Sequence, residues 1–191
     1  MSKLQEYKEK RNFKKTPEPK GKFFSKSKKS RFVIQRHSAR KLHWDFRIEV
    51  DGVLESWAVP KEPSMSIKDK RLAVHVEDHP IKYGKFEGVI PKGEYGAGSV
   101  EIWDKGFFAN LTIKDGKLQP LTKGIEKGHF TIWIKGDRLK GGFSLNKMKD
   151  NNWLLIKMND EEALENKKDE KIPSSFITVN SRKIEITHTK K

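Results

Sequence analysis

The chain has 191 residues, 34% of them hydrophobic and 35% charged, with a formal net charge of +15. That length accommodates one domain with a real core, and the absence of cysteine excludes disulfides, Cys-ligated zinc and thiol nucleophiles. No apolar run approaches the roughly 18 residues of a membrane span, and the opening "MSKLQEYKEKRNFKK" lacks the apolar stretch of a secretory signal.

A monomeric, cytoplasmic, nucleoid-associated protein without membrane contact is therefore expected. The charge points toward polyanions. It is concentrated at the start, where residues 1–31 hold twelve Lys/Arg against three Glu. Blocks such as "KGKFFSKSKKSR" resemble basic arms that neutralise phosphates and release counterions; the alternative is a solvated leader. A short helix is expected near Glu6–Arg11. From Arg31 the texture changes to short alternating segments broken by turn residues: "RFVIQ", "HWDFRIEV", the hairpin signal Asp51-Gly52, "VLESWAV", "RLAVHVE", "KFEGVI", "SVEIWDKG", "LTIKDGKL", "HFTIWIKG", "GGFSLNKMK" and "NWLLIKM". Such spacing predicts a mostly-β, antiparallel barrel or sandwich. Further helix is plausible only in "IKDK" after Ser66 and in the tail "NDEEALENKKDEK". The expected boundaries are a basic arm over 1–30, a β domain over 31–158, and a charged linker and tail over 159–191.

The second segment carries chemistry. In "LHWDFRIE", period-two alternation puts Leu42, Trp44, Phe46 and Ile48 on one face and His43, Asp45, Arg47 and Glu49 on the other. His43 and Asp45 lie about 7 Å apart along a strand, so their side chains can converge on one ion. His37, ending the preceding segment, can swing into the same space. Two imidazoles and a carboxylate suit Mn, Fe or Zn. Arg47 would either orient Asp45 or grip a phosphate beside the metal.

"RLAVHVEDHPIKYGKFEG" forms a second cluster. Alternation assigns Leu72, Val74 and Val76 to the core and Arg71, Ala73, His75 and Glu77 to the opposite face. His79 and Tyr83 follow in the loop opened by "DHP", where rigid scaffolds place reactive groups. His79 could protonate a leaving group or stabilise a phosphoryl oxygen, and Tyr83 could donate to the same oxygen. His75 reads as structural. The glycines of "GVIPKGEYGAGSVEIWDKG" match no phosphate-binding fingerprint and read as turn geometry.

These motifs together, "FVIQRHSARKLHWDFRIEVDGVLESWAVPK", "RLAVHVEDHPIKYGKFEGVIPKGEYGAGSVEIWDKG" and "WLLIKM", resemble the DNA ligase D 3′-phosphoesterase family over about Arg11 to Met158. The resemblance implies a compact barrel of about eight strands with one or two short flanking helices. It implies a manganese-dependent enzyme, other divalent transition metals being conceivable, that heals DNA 3′ ends before end joining. The substrate would be a primer–template bearing a 3′-ribonucleotide or 3′-phosphate: removal of the ribonucleoside leaves a 3′-phosphate, which is then hydrolysed to a 3′-hydroxyl. Ligase and polymerase repair components are the implied protein partners. By the same resemblance His37, His43 and Asp45 hold the metal, and Arg47, Lys61, Arg71, His79 and Tyr83 contact phosphate or assist catalysis. Gln35 matches a functional polar position. "KRNFKKTPEP" is similar to the family's N-terminal motif, which makes Arg11 and Glu18 candidate substrate-binding residues, although the family pattern there reads Arg-Asp and this chain has Asn12. The closing "ITVNSRKIEITHTKK" resembles the opening strand of polymerase or ligase modules in fused relatives.

Two other readings compete. "HWD" with a distal His resembles the facial triad of iron(II) oxygenases, and a DNA-end-binding module without catalysis would account for the charge alone.

Overall fold

The computed structural model describes residues 3–21, 30–167, 177–180 and 183–186. The alternating segments become strands β1 (Arg31–Ser38), β2 (Leu42–Val50), β3 (Val53–Val59), β4 (Lys70–Pro80), β5 (Gly88–Ile90), β6 (Gly98–Asn110), β7 (Ile113–Lys114), β8 (Lys117–Leu118), β9 (His129–Gly136), β10 (Lys140–Lys149) and β11 (Asn152–Lys157). Two short helices, α1 (Gln5–Glu9) and α2 (Leu121–Glu126), accompany them, and β12 (Ile177–Asn180) pairs with β13 (Lys183–Ile186). Eight strands close an antiparallel barrel in the order β1-β2-β3-β4-β11-β10-β9-β6, with β6 returning to β1. The fold is thus a closed barrel, not a sandwich. Closure leaves neither β1 nor β6 as a free edge.

Local chemistry explains the hairpins. Asp51 and Gly52 both take positive φ, 46° and 82°, the conformation that a two-residue turn needs to match strand twist. Asp115 and Gly116 repeat the device within "LTIKDGKL", so that segment is the small β7–β8 hairpin rather than one strand. Other local expectations also give way. "IKDK" is a turn into β4, because Asp69 is tied to Ser64 and Arg71 instead of entering a helix. The tail holds a single 3₁₀ turn, Leu164–Lys167, before leaving the described residues. Helix α2 was not foreshadowed; Pro120 opens it, a residue that tolerates the missing N–H of a first turn. The basic block over 22–29 lies outside the described residues.

The barrel interior is apolar. Phe32, Ile34, Phe46, Ile48, Trp57, Phe130, Phe143 and Trp153 are all buried there. Trp57 is at its centre, with ring centroids 5.6 Å from Phe130, 5.9 Å from Trp153 and 6.2 Å from Phe46. The expected core face of β2 is correct for Trp44, Phe46 and Ile48, while Leu42 stays 41% exposed at the strand's start. The faces of β4 are the reverse of the expectation. Ala73 is buried in the core and His75 lies against Trp57, whereas Leu72 is exposed. Alternation alone cannot tell which face is inward when both carry small or apolar groups.

A bulge then resets β4. Val76 pairs with Ser56 and His79 with Leu54, so three steps on one strand meet two on the other. This odd offset turns His79 to the outer wall of the barrel, beside Ser56 and Arg47.

The outer wall of β1–β4 is itself covered. Residues 3–21 lie across it, and Tyr7, Leu54 and Tyr83 form a second, smaller apolar cluster with Phe13, Ile81 and Phe86. Among the described residues no helix is long and apolar enough to cross a membrane.

Candidate active site

The polar face of β2 is therefore a buried layer between barrel and N-terminal segment, not a wet surface: Asp45 and Arg47 are 5% and 2% exposed. Antiparallel register sets His37 directly opposite His43, and Gln35 opposite Asp45. One donor atom from each of His37, His43 and Asp45 lies within 4.8 Å of the others. His37 Nδ1 is 3.4 Å from Asp45 Oδ2, and His43 Nε2 is 3.7 Å from Asp45 Oδ1.

Backbone carbonyls fix both imidazoles. His37 Nε2 is 2.8 Å from the Gly96 carbonyl and His43 Nδ1 is 2.9 Å from the Lys41 carbonyl. A carbonyl only accepts, so these nitrogens carry the protons. The lone pairs of His37 Nδ1 and His43 Nε2 are left facing Asp45. Such outer-sphere hydrogen bonds set the tautomer and orientation of metal-ligating histidines. The residues fit a divalent ion: two aligned imidazole lone pairs and a carboxylate converge on one point.

Arg47 holds the carboxylate in place. Its Nη2 is 3.1 Å from Asp45 Oδ2, its Nε donates to Gln35 Oε1 at 2.8 Å, and its Nη1 donates to Ser56 Oγ at 2.9 Å. The Tyr83 ring lies 4.8 Å from its guanidinium carbon. Burial by itself would raise the Asp45 pKa, but Arg47, joined by either histidine when its ring carries a second proton, brings it below the usual carboxylate range. Gln35 is wholly occupied in this support. Its amide donates to the carbonyls of Tyr83 and Phe86, leaving no free donor for a ligand.

A second group adjoins the first through Arg47 and Ser56. His79 Nδ1 is 2.8 Å from the Glu77 carbonyl, so Nδ1 bears the proton, and Nε2 accepts from Arg11 Nη2 at 3.1 Å. Burial, with Arg47 and Arg11 close by, drives the His79 pKa well below 6.5. His79 is accordingly a neutral imidazole with no proton on Nε2 to give. Arg11 is 4% exposed at its side chain and bridges Glu18 at 2.8 Å and Glu77 at 3.0 Å. Thr16 Oγ1 donates to the other Glu18 oxygen. Burial, outweighing Arg11 and Arg47, pushes the Tyr83 phenol far above 10, which keeps it protonated. Asn12 is spent on a turn, its Oδ1 accepting the Lys14 N–H at 3.1 Å.

Lys61 and Arg71 are not brought to either group. Arg71 is clamped to Asp69, at 3.0 Å, and to the Glu62 carbonyl, at 2.7 Å. Lys61 is exposed in the same loop and makes no hydrogen bond or ion pair with the described residues.

Sequence reasoning missed four contributors: Glu77, Ser56, Tyr95 and the Gly96 carbonyl. Glu77 stands two residues before His79, a spacing that could have flagged it. The glycine-rich stretch is more than turn geometry. Gly96 has φ +76°, and a Cβ at Gly98 would collide with the Ser38 carbonyl, so glycine lets this loop close on β1 and aim its carbonyl at His37. Tyr95 lies 5.3 Å from the Arg11 guanidinium carbon.

Comparison with known proteins points to one family. The model of the DNA ligase D 3′-phosphoesterase domain matches residues 35–147. The multifunctional non-homologous end joining protein LigD of Pseudomonas aeruginosa is 45% identical over 166 residues, covering 84% of this chain and 19% of that protein. LigD of Mycolicibacterium smegmatis is 44% identical over 162 residues, 84% of this chain and 21% of the relative. The Mycobacterium tuberculosis H37Rv protein, named as a multifunctional non-homologous end joining DNA repair protein, is 43% identical over 141 residues, 74% and 17% respectively. The chain thus spans about a fifth of the length of the curated relatives it matches.

Proposed function

The chain belongs to the DNA ligase D 3′-phosphoesterase family, and from that premise we propose that it is a divalent-metal-dependent enzyme, using manganese by preference, that heals DNA 3′ ends for end joining. Its substrate is a DNA 3′ end carrying a terminal ribonucleotide or phosphate, and its product is a 3′-hydroxyl. One observation carries the reading: a three-ligand metal group sits beside a buried pair of guanidiniums and a neutral imidazole. Cationic donors next to a metal suit a phosphate ester better than the neutral substrates of an oxygenase.

His37 Nδ1, His43 Nε2 and Asp45 would hold the ion. When bound it supplies Lewis acidity to a phosphoryl oxygen and lowers the pKa of water. Arg47 keeps Asp45 ionised and oriented. Arg11, positioned by Glu18 and Glu77, offers its guanidinium at His79 to a phosphoryl oxygen. Once Arg11 turns from it to a phosphoryl oxygen, His79, with Nδ1–H pinned to the Glu77 carbonyl, presents Nε2 as a proton acceptor. That assigns it to deprotonating water or a terminal 2′-hydroxyl, and a leaving oxygen could be protonated only after His79 has first taken up that proton. Tyr83, protonated, donates a hydrogen bond rather than serving as a nucleophile. Arg71 and Lys61 are left for the flanking DNA backbone. Ligase and polymerase components would act on the healed end.

The test is a 5′-labelled primer–template ending in one ribonucleotide, incubated with Mn²⁺, with EDTA, and with the His43→Ala variant. The expected products are a 3′-phosphate shortened by one nucleoside, then a 3′-hydroxyl, both lost with EDTA and in the variant. An unchanged primer with folded, DNA-bound protein would sink the proposal and leave an end-binding module.

A further inference from the structure

Glu55, His75 and Asp78 make up a second group whose donor atoms lie within 4.8 Å of one another, and the site above uses none of them. The bulge that turns His79 outward also builds this group. Glu55 falls at the irregular step between Leu54 and Ser56 and has no ladder partner on β4. Asp78 is one of the two residues in the bulge, and His75 pairs with Trp57 just before it.

His75 and Glu55 are oriented in advance. The His75 ring is 4.9 Å from Trp57 and 6.2 Å from Trp153, so its plane is set by the core beneath it. His75 Nε2 is 2.9 Å from Glu55 Oε2. The backbone N–H of His75 is held by the Asn151 carbonyl at 2.7 Å, which ties the group to the β10–β11 turn. Asp78 shares its corner with the Glu55 carboxylate, and burial together with that neighbour pushes the Asp78 pKa up to about 7. Lys3 offsets part of this charge, but its ammonium is drawn 4.0 Å from Asp51. All three ligands are only half-buried, so an ion can enter.

We propose that Glu55, His75 and Asp78 bind a divalent transition cation of the Zn²⁺ or Co²⁺ class, which clamps β3 to the bulge of β4. One imidazole and two carboxylates are nitrogen and oxygen donors of the kind that bind zinc, and the set carries one more negative charge than His37, His43 and Asp45. The clamp acts on the catalytic group through the backbone, because Glu77 and His79 flank Asp78. Binding displaces the proton between His75 and Glu55, which moves to His75 Nδ1 when the ring is neutral, and releases any proton on the carboxyl pair to solvent.

The full chain is titrated with Zn²⁺ by calorimetry, and with Co²⁺ while tryptophan fluorescence is followed. The expected stoichiometry is two ions for the wild type, one for His43→Ala, one for the near-isosteric Glu55→Gln/Asp78→Asn, and none for the combination. In His43→Ala the remaining ion quenches tryptophan emission, since it sits against Trp57, and a hundredfold excess over its dissociation constant raises the unfolding midpoint by about 5–10 °C. His75→Gln serves as an independent variant and weakens this ion at least about tenfold. A single equivalent in the wild type that disappears in His43→Ala overturns the proposal. So does binding in His43→Ala that survives the Glu55 and Asp78 changes, or that leaves tryptophan emission untouched.

Discussion

Arg47 makes three directed contacts at once, to Asp45, Gln35 and Ser56, and only a planar fork can satisfy them together. Arg47→Lys keeps the charge and loses the fork. It is expected to weaken metal binding by about 10–100-fold with little change in secondary structure, as titration calorimetry and circular dichroism would show. Two neighbours further along the chain respond to pH in opposite senses. His79 is depressed below 6.5, so the unfolded chain takes up a proton that the folded one refuses, and stability falls as pH drops below about 6.5. Asp78 is raised from 3.8 to about 7, so here the folded chain holds the extra proton and stability falls as pH rises between those values. Asp78→Asn should therefore raise the unfolding midpoint at pH 8 and leave it nearly unchanged at pH 3.5. Equal shifts at both values would count against the carboxyl pair.

At the scale of elements, the β4 bulge decides more than any single side chain. Strand alternation places His75 inward on Trp57; had the four steps from His75 to His79 run on without a bulge, His79 would keep that phase and also face the core. Deleting Asp78 removes the bulge and is expected to leave a folded barrel with His79 still opposite Leu54, to turn Glu77 to the inner face and away from Arg11, and to lower end-healing activity about tenfold or more. A retained rate would mean that the Glu77–Arg11 ion pair is dispensable. The N-terminal segment is the other decisive element. Its α1 and following turns supply Arg11 and Glu18 from outside the barrel and seal the polar face of β2 from water. Low-dielectric surroundings strengthen every charge contact beneath it.

For the molecule as a whole, the closed barrel provides rigidity and the outer wall carries the chemistry. Trp57, Phe130 and Trp153 bridge strands from opposite sides of the barrel. Phe130→Ala leaves a cavity at that junction and should cost about 3–5 kcal/mol. Urea unfolding would detect it as a lower midpoint at an unchanged slope. A loss below about 1 kcal/mol would show that the ring stack is not where the barrel is secured.

The strands could be read from the residues because alternation and turn chemistry are local: "HWDFRIEV", Asp51-Gly52 and "VLESWAV" contain a hairpin in themselves. The candidate metal group was nearly legible for the same reason, since His43 and Asp45 share a strand face and His37 needs only the register of one adjacent hairpin. What lay beyond the sequence were matters settled by distant contact. Alternation cannot reveal a bulge, so the faces of β4 and the placement of His79 came out only when β3 fixed the register. Nor does it state which polar side chains are consumed by others: Gln35 is spent on Arg47 and two carbonyls, and Arg71 on Asp69. Period two is a property of one strand. Burial of its outer face depends on residues 3–21, which fold across it.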